Sequence, residues 1–199
     1  MNKIQMKRIA HVISYAFLPP VNLVLIFIIS AFYIYDNPMM RIITISIALV
    51  FGFIMPILIF TLLRLKGKII DNDASKRNER TIPYIMGAFL ILFAGIISIY
   101  LELHQFIIAL WLSYLIASIL LISINNFWKI SAHAMGAAIP FAVLLFILGN
   151  IAYYFIIIPL LIGWARIYLD LHSISQVLIG LLVGYSITLL ILNYSLKIM

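Results

Sequence analysis

Long apolar runs separated by short polar interruptions set the pattern of this chain. A bilayer core takes about 20 predominantly apolar residues per helix, within a range of roughly 17–25. Ile9–Tyr35 meets that length, and Pro19-Pro20 should kink it or begin its regular part. Asp36-Asn37-Pro38 reads as a turn. Ile42–Leu65 is the second helix, with Pro56 tolerated inside it because neighbouring helices re-satisfy the freed carbonyl. One long polar segment follows, Lys66 to Arg80. Ile82–Leu101 and Phe106–Ile124 are then the third and fourth helices, joined by Glu102–Gln105. From Ala134 to Ala165 only Gly149-Asn150 interrupts the apolar run. As one helix those 32 residues would be about 48 Å long, against a hydrocarbon core of about 30 Å. They read as two short helices joined at Gly149-Asn150, and Ile174–Leu196 is the last helix.

The pattern predicts an all-α fold: a polytopic membrane helical bundle of seven transmembrane helices, in a single domain over residues 1–199. Six helices is the alternative, if a segment between residues 82 and 124 is re-entrant or interfacial. With seven, the polar segments 66–81, 125–133 and 166–173 fall at one end of the bundle, together with the N-terminus. The unusual polar residues are thereby gathered into one place.

Composition sharpens this. The chain is 66% hydrophobic and only 10% charged, with a mean hydropathy of +1.21. A soluble domain is about 45–50% apolar and about 25% charged, so lipid is the solvent for most of this one. Cysteine is absent, which excludes disulfides and thiolate metal sites. The net charge of +7 would suggest nucleic acid in a soluble protein; here it points to loop orientation and anionic headgroups, and no nucleic-acid partner is expected. The basic start is followed by an apolar run longer than the roughly 7–15 residues of a signal core, so it reads as a membrane helix.

The polar end has the makings of a phosphate site. Arg77 and Arg80 are three apart, so a helical turn would put them on one face. Lys129 precedes His133 by four residues, and Arg166 precedes His172 by six. Guanidinium groups bind phosphate bidentately and lysine adds a point charge. The two imidazoles suit proton transfer or nucleophilic attack near neutrality. Lys66 and Lys68 read as topology determinants, and His11 and His104 as interfacial.

These motifs resemble a known family. Ala165-Arg166, then His172 after five residues and Gln176 after three more, is similar to the third signature of the type 2 phosphatidic acid phosphatases, Ser-Arg-x5-His-x3-Asp. That superfamily also contains the vanadium haloperoxidases. Ile130-Ser131-Ala132-His133 resembles its second signature, Pro-Ser-Gly-His. Its first, Lys-x6-Arg-Pro, is only loosely echoed between Lys76 and Pro83. The resemblance covers about residues 71–185. It implies that His172 is the nucleophile, forming a phosphohistidine, and that Arg166 stabilises the transition state. Ser131 would donate to the phosphate, as would Arg77 and Arg80, and His133 would protonate the leaving alkoxide and then help activate water. Lys129 would stand in for the missing first-block lysine. Gln176 replaces the family aspartate and can still accept a hydrogen bond from the Nδ1–H of His172, without the charge; Asp170 or Glu79 might supply it. No metal or cofactor is implied.

The expected substrate is a lipid phosphate monoester or a prenyl (di)phosphate taken from the bilayer, with the oligomeric state left open. The rival readings are a weakened relative that binds lipid phosphates, and a small transporter component with histidines along a proton path. Setting aside Arg77, Arg80, Lys129 and Arg166, seven basic residues lie on the motif face against Arg41 and Lys197 on the other. The positive-inside rule then places the motif face in the cytoplasm, with the bacterial inner membrane as the expected location.

Overall fold

The computed structural model describes residues 2–197, and every regular element in them is helical. The first apolar run is divided. Helix α1 (Lys3–Ala16) is closed by a reciprocal capping box between Asn2 and Gln5. Helix α2 (Pro19–Ile34) starts at the proline pair, and the two are bent by 52°. The break is at Pro19-Pro20, where the missing N–H groups cost nothing in a first turn but would break a helix interior. Lys3, Lys7 and His11 form a polar stripe at four-residue spacing on α1, while Ala10 and Ser14 are buried on its inner side. That is the pattern of a helix lying along a membrane surface rather than across it.

Helix α3 (Pro38–Leu49) runs into a π-helical segment, Val50–Ile54, and continues as α4 (Met55–Leu65). The widened turn sits just before Pro56, which cannot donate to the carbonyl of Gly52, and π segments commonly accommodate such a loss. A four-residue 3-10 turn, Arg77–Arg80, leads into α5 (Thr81–Tyr100), which is followed by α6 (Gln105–Asn125) and α7 (Ala132–Leu148).

The chain reverses at Gly149, whose φ of +56° suits glycine. The link to α8 (Ile157–Tyr168) is an eight-residue 3-10 helix, Gly149–Ile156, rather than a two-residue joint. At about 2.0 Å rise in 3-10 and 1.5 Å in α geometry, residues 149–168 reach about 34 Å, enough to recross the core. Helix α9 (Ile174–Lys197) completes the chain.

Five helical stretches are long and apolar enough to span a membrane, six if α1 and α2 count as one. One of the five, Ala132–Tyr168, folds back so that His133 and Arg166 line the same cavity, which makes it two passes and gives seven passes in all.

Helix α7 is the centre of the bundle, with ten of its 17 residues buried. Its A-H-A-M-G-A-A start lets α9 approach closely. A Cβ placed on Gly180 would stand 2.7 Å from the carbonyl oxygen of Ser131, and one on Gly184 would stand 2.5 Å from that of Met135. This contact fixes the height of Ser131 and His133 against the segment that carries His172.

Candidate active site

The three polar segments meet at one end, as the apolar pattern requires, and hydrogen bonds tie them together. Asn125 Nδ2 donates to the carbonyl of Arg77, and the amide of Ser131 donates to the carbonyl of Gln176. Arg80 Nη1 donates to the carbonyl of Ile130 at 3.4 Å.

His172 lies in the short turn between α8 and α9 and is 7% exposed. Its position follows from the helix that comes next. Ser173-Ile174-Ser175-Gln176 forms a reciprocal capping box: Ser173 Oγ accepts from the Gln176 amide, and Gln176 Oε1 accepts from the Ser173 amide. Gln176 Oε1 also lies 3.0 Å from His172 Nδ1. The Ser173 amide can only donate, so the atom between it and the imidazole is an oxygen, and Nδ1 carries the proton. Nε2 then has a free lone pair, and it faces Arg80 Nη1 at 3.4 Å. Burial, followed by the charges of Arg80, Arg166 and Lys129, holds the imidazole down to about 3, opposed by the Gln176 hydrogen bond. The ring is therefore neutral at ordinary pH.

Arg166 is 1% exposed and lies in the last turn of α8. Its Nη1 donates to Ser14 Oγ at 2.7 Å and forms an ion pair with Asp73 at 2.5 Å, while its Nε is buried without a partner. His133, in the first turn of α7, also has a buried Nε2 with no partner. Unpaired buried donors are costly, and both of these residues line one cavity. Ser131 caps α7 by accepting from the Ala134 amide at 3.3 Å, which leaves its O–H free to donate.

The guanidiniums of Arg77 and Arg80 part company. Arg80 is buried, with Nε donating to the Ala74 carbonyl at 2.6 Å. Arg77 is exposed and lends only its carbonyl, so the one-face expectation fails for it. The turn is a cap on α5 whose last residue points into the bundle while its first stays outside. Lys129 is half-buried. Its pKa is lowered by burial and then by Arg80 and Arg166, against the raising effect of Asp71 and Asp73. It acts on the site through charge rather than through a hydrogen bond.

The acidic residue at the site is Asp73, which the sequence reading passed over. Asp170 is exposed, and Glu79 accepts from the Ile70 amide. Asp73 is placed by a small folded loop: Asp71 Oδ1 accepts from the amides of Asp73 and Ser75, and Ala74 takes a φ of +44°. Asp-x-Asp in a polar loop is a turn signal, but nothing local says that it reaches an arginine 93 residues away.

The model of the PAP2 superfamily matches residues 122–199, which include the Ile130–His133 and Ala165–Gln176 motifs and leave out the 66–81 segment. No curated protein and no solved structure matches the chain. Through its C-terminal two-fifths the chain belongs to the type 2 phosphatidic acid phosphatase family, whose activity is that of a phosphatase.

Proposed function

We propose that this integral membrane protein hydrolyses a lipid phosphate monoester or a prenyl (di)phosphate through a phosphohistidine on His172. The observation that carries this is the state of His172: neutral, its Nδ1–H held by Gln176 and its Nε2 turned toward Arg80. Nε2 attacks phosphorus as the ester oxygen departs, and His133 Nε2 gives that oxygen its proton. Water then attacks the phosphohistidine, losing a proton to His133, and inorganic phosphate and neutral His172 are released. Arg166 and Arg80, with the Ser131 hydroxyl, would hold the equatorial oxygens. Such fixed donors act most strongly where charge develops in the transition state. Lys129 adds positive potential; Arg77, being exposed, adds at most long-range attraction.

The test is phosphate release from a panel of lipid phosphates by purified protein, beside His172→Ala, with acid-labile labelling of the protein by radioactive substrate. Equal turnover in the two removes the nucleophile assignment. Binding without release by wild type would favour a second reading, a relative that binds lipid phosphates without turnover. Gln176 in place of the family aspartate, and Asp73 on Arg166, are the features that favour it. A transporter fits poorly, since the ionisable residues gather at one end of the bundle rather than along a path through it.

The basic residues outside the site support a cytoplasmic motif face in a bacterial inner membrane. A cysteine placed in the 66–80 loop tests it: labelling of intact cells by an impermeant reagent would overturn the orientation.

A further inference from the structure

A cavity of about 490 Å³ runs inward from the candidate site, with Arg80, His133, Arg166 and His172 at its mouth. Volumes of this order are those of sites for small ligands. Along α5 it extends from Arg80 past Gly87 to Ile91, and along α7 from His133 past Gly136 to Ile139. At 1.5 Å per residue these are depths of about 16 Å and 9 Å, up to half of a core of about 30 Å. Below the mouth the two walls are Pro83, Gly87 and Ile91 on α5 and Met135, Gly136 and Ile139 on α7, none of which offers a side-chain hydrogen bond. The inner end is closed. Leu23 leans over Gly52, where a Cβ would stand 2.2 Å from Leu23 Cδ2, and Tyr114 packs against Phe27 at 6.2 Å between ring centres.

We propose that this cavity receives one hydrocarbon chain attached directly to the phosphate, so that the substrate class is single-chain alkyl or prenyl phosphates rather than two-chain glycerolipid phosphates. The proposal rests on the phosphatase reading of the same site. Its warrant is the order of surfaces beneath the phosphate. The leaving oxygen would lie beside His133 at the mouth, and apolar wall begins at once below it. The ester carbonyls of a diacylglycerol would be buried there without donors. A second cavity, about 240 Å³ between α2, α7 and α8, shares no lining residue with the first and gives a second chain no continuation from the site. Chains would arrive through α4, which buries none of its 11 residues: Phe60 faces the cavity, while Leu58 and Leu62 face outward.

Gly87 provides the means of testing this. It lines the cavity, and a Cβ built on it meets no atom within 4 Å, so a larger side chain there would fill the cavity without pressing on the backbone. The experiment compares wild type, Gly87→Val and Gly87→Phe on farnesyl phosphate, dioleoyl phosphatidic acid and p-nitrophenyl phosphate. In parallel, the rise in Tm caused by farnesyl phosphate is measured. Wild type should favour farnesyl phosphate over phosphatidic acid by tenfold or more in kcat/KM. Gly87→Phe should lose at least tenfold on farnesyl phosphate, and Gly87→Val less, with p-nitrophenyl phosphate within about twofold of wild type. Equal use of the two lipids, or an unchanged preference in Gly87→Phe, overturns the proposal. If no substrate releases phosphate, the phosphatase reading fails while the Tm arm still decides. A farnesyl phosphate shift in wild type that Gly87→Phe abolishes supports the cavity, and the absence of a shift in wild type overturns it.

Discussion

His172 and Gln176 are joined by one oxygen that serves two masters: Gln176 Oε1 accepts the Nδ1–H of the imidazole at 3.0 Å and the Ser173 amide at 3.2 Å. The neutral amide therefore does the orienting part of a carboxylate's work, and closes the N-terminus of α9 as well. What it does not supply is negative charge, which is one reason the imidazole stays unprotonated between two arginines.

Gln176→Leu removes both bonds. Loss of a positioned partner allows the ring to turn, and the expected outcome is a fall of about a hundredfold in kcat/KM, with about 1 kcal/mol of stability lost from the cap. Gln176→Glu keeps the length and adds charge, so it should retain or raise kcat. Gln176→Asp carries the family residue type but is one carbon shorter, and should lose part of the cap even where it keeps activity. Steady-state kinetics alongside thermal melts separate the two effects.

Arg166 and Asp73 form a pair in which the arginine is almost fully buried. Removing one partner from such a pair typically costs about 3–5 kcal/mol, because the other charge is stranded, whereas replacing both can be nearly neutral. Arg166→Met alone should therefore lose activity and stability together. Arg166→Met with Asp73→Asn should recover most of the Tm and none of the activity. Asp73→Asn alone should leave Arg166 freer for anions, lowering the inhibition constant for vanadate several-fold. A weaker vanadate interaction in Asp73→Asn would mean that the carboxylate positions Arg166 rather than competing for its ligand.

Most of the helical framework could be read from the chain, because in lipid a helix must be long, apolar and internally hydrogen-bonded. The reversal at Gly149, the convergence of three polar segments and the pairing of His172 with Gln176 all follow from spacing within or between such helices. The parts that were not legible are those set by tertiary docking of irregular backbone. Arg77 and Arg80 differ in burial because a 3-10 turn caps α5 end-on, and Asp73 finds Arg166 only once α8 has returned across the bundle. The 3-10 stretch Gly149–Ile156 is as apolar as the helices it joins, so no polar interruption marks its length.

The burial of neutral His172 makes stability depend on pH in a definite sense. Its pKa falls from an ordinary 6.5 to about 3 in the folded chain, so between those values the unfolded chain binds the extra proton. The contribution is fully present above pH 6.5 and is lost as pH falls toward 3. It should amount to on the order of 1–2 kcal/mol by pH 5. Thermal melts of wild type between pH 7.5 and 5 should therefore fall more steeply than those of His172→Gln. Saturating inorganic phosphate should flatten the wild-type slope, since a bound anion offsets the two guanidiniums. Parallel slopes in the two proteins would mean that the imidazole already protonates near neutrality.

The closest approach of α7 and α9 makes a glycine prediction possible away from any reacting group. A Cβ at Gly180 would meet the Ser131 carbonyl oxygen at 2.7 Å, a contact with backbone that no side-chain rotation relieves. Gly180→Ala must push α9 from the start of α7, moving His133 relative to His172. Overpacking of this kind costs about 1–3 kcal/mol, and displacements of about 1 Å at a reacting pair can cost a hundredfold in rate. The expected signature is a large fall in kcat with little change in KM, because Arg80 and Arg166 come from other helices and still hold the phosphate. Gly87→Ala is the matching control, since its Cβ meets nothing within 4 Å, and it should leave kcat unchanged. A Gly180→Ala enzyme with wild-type kcat would show that the α7–α9 contact does not set the distance between the two histidines.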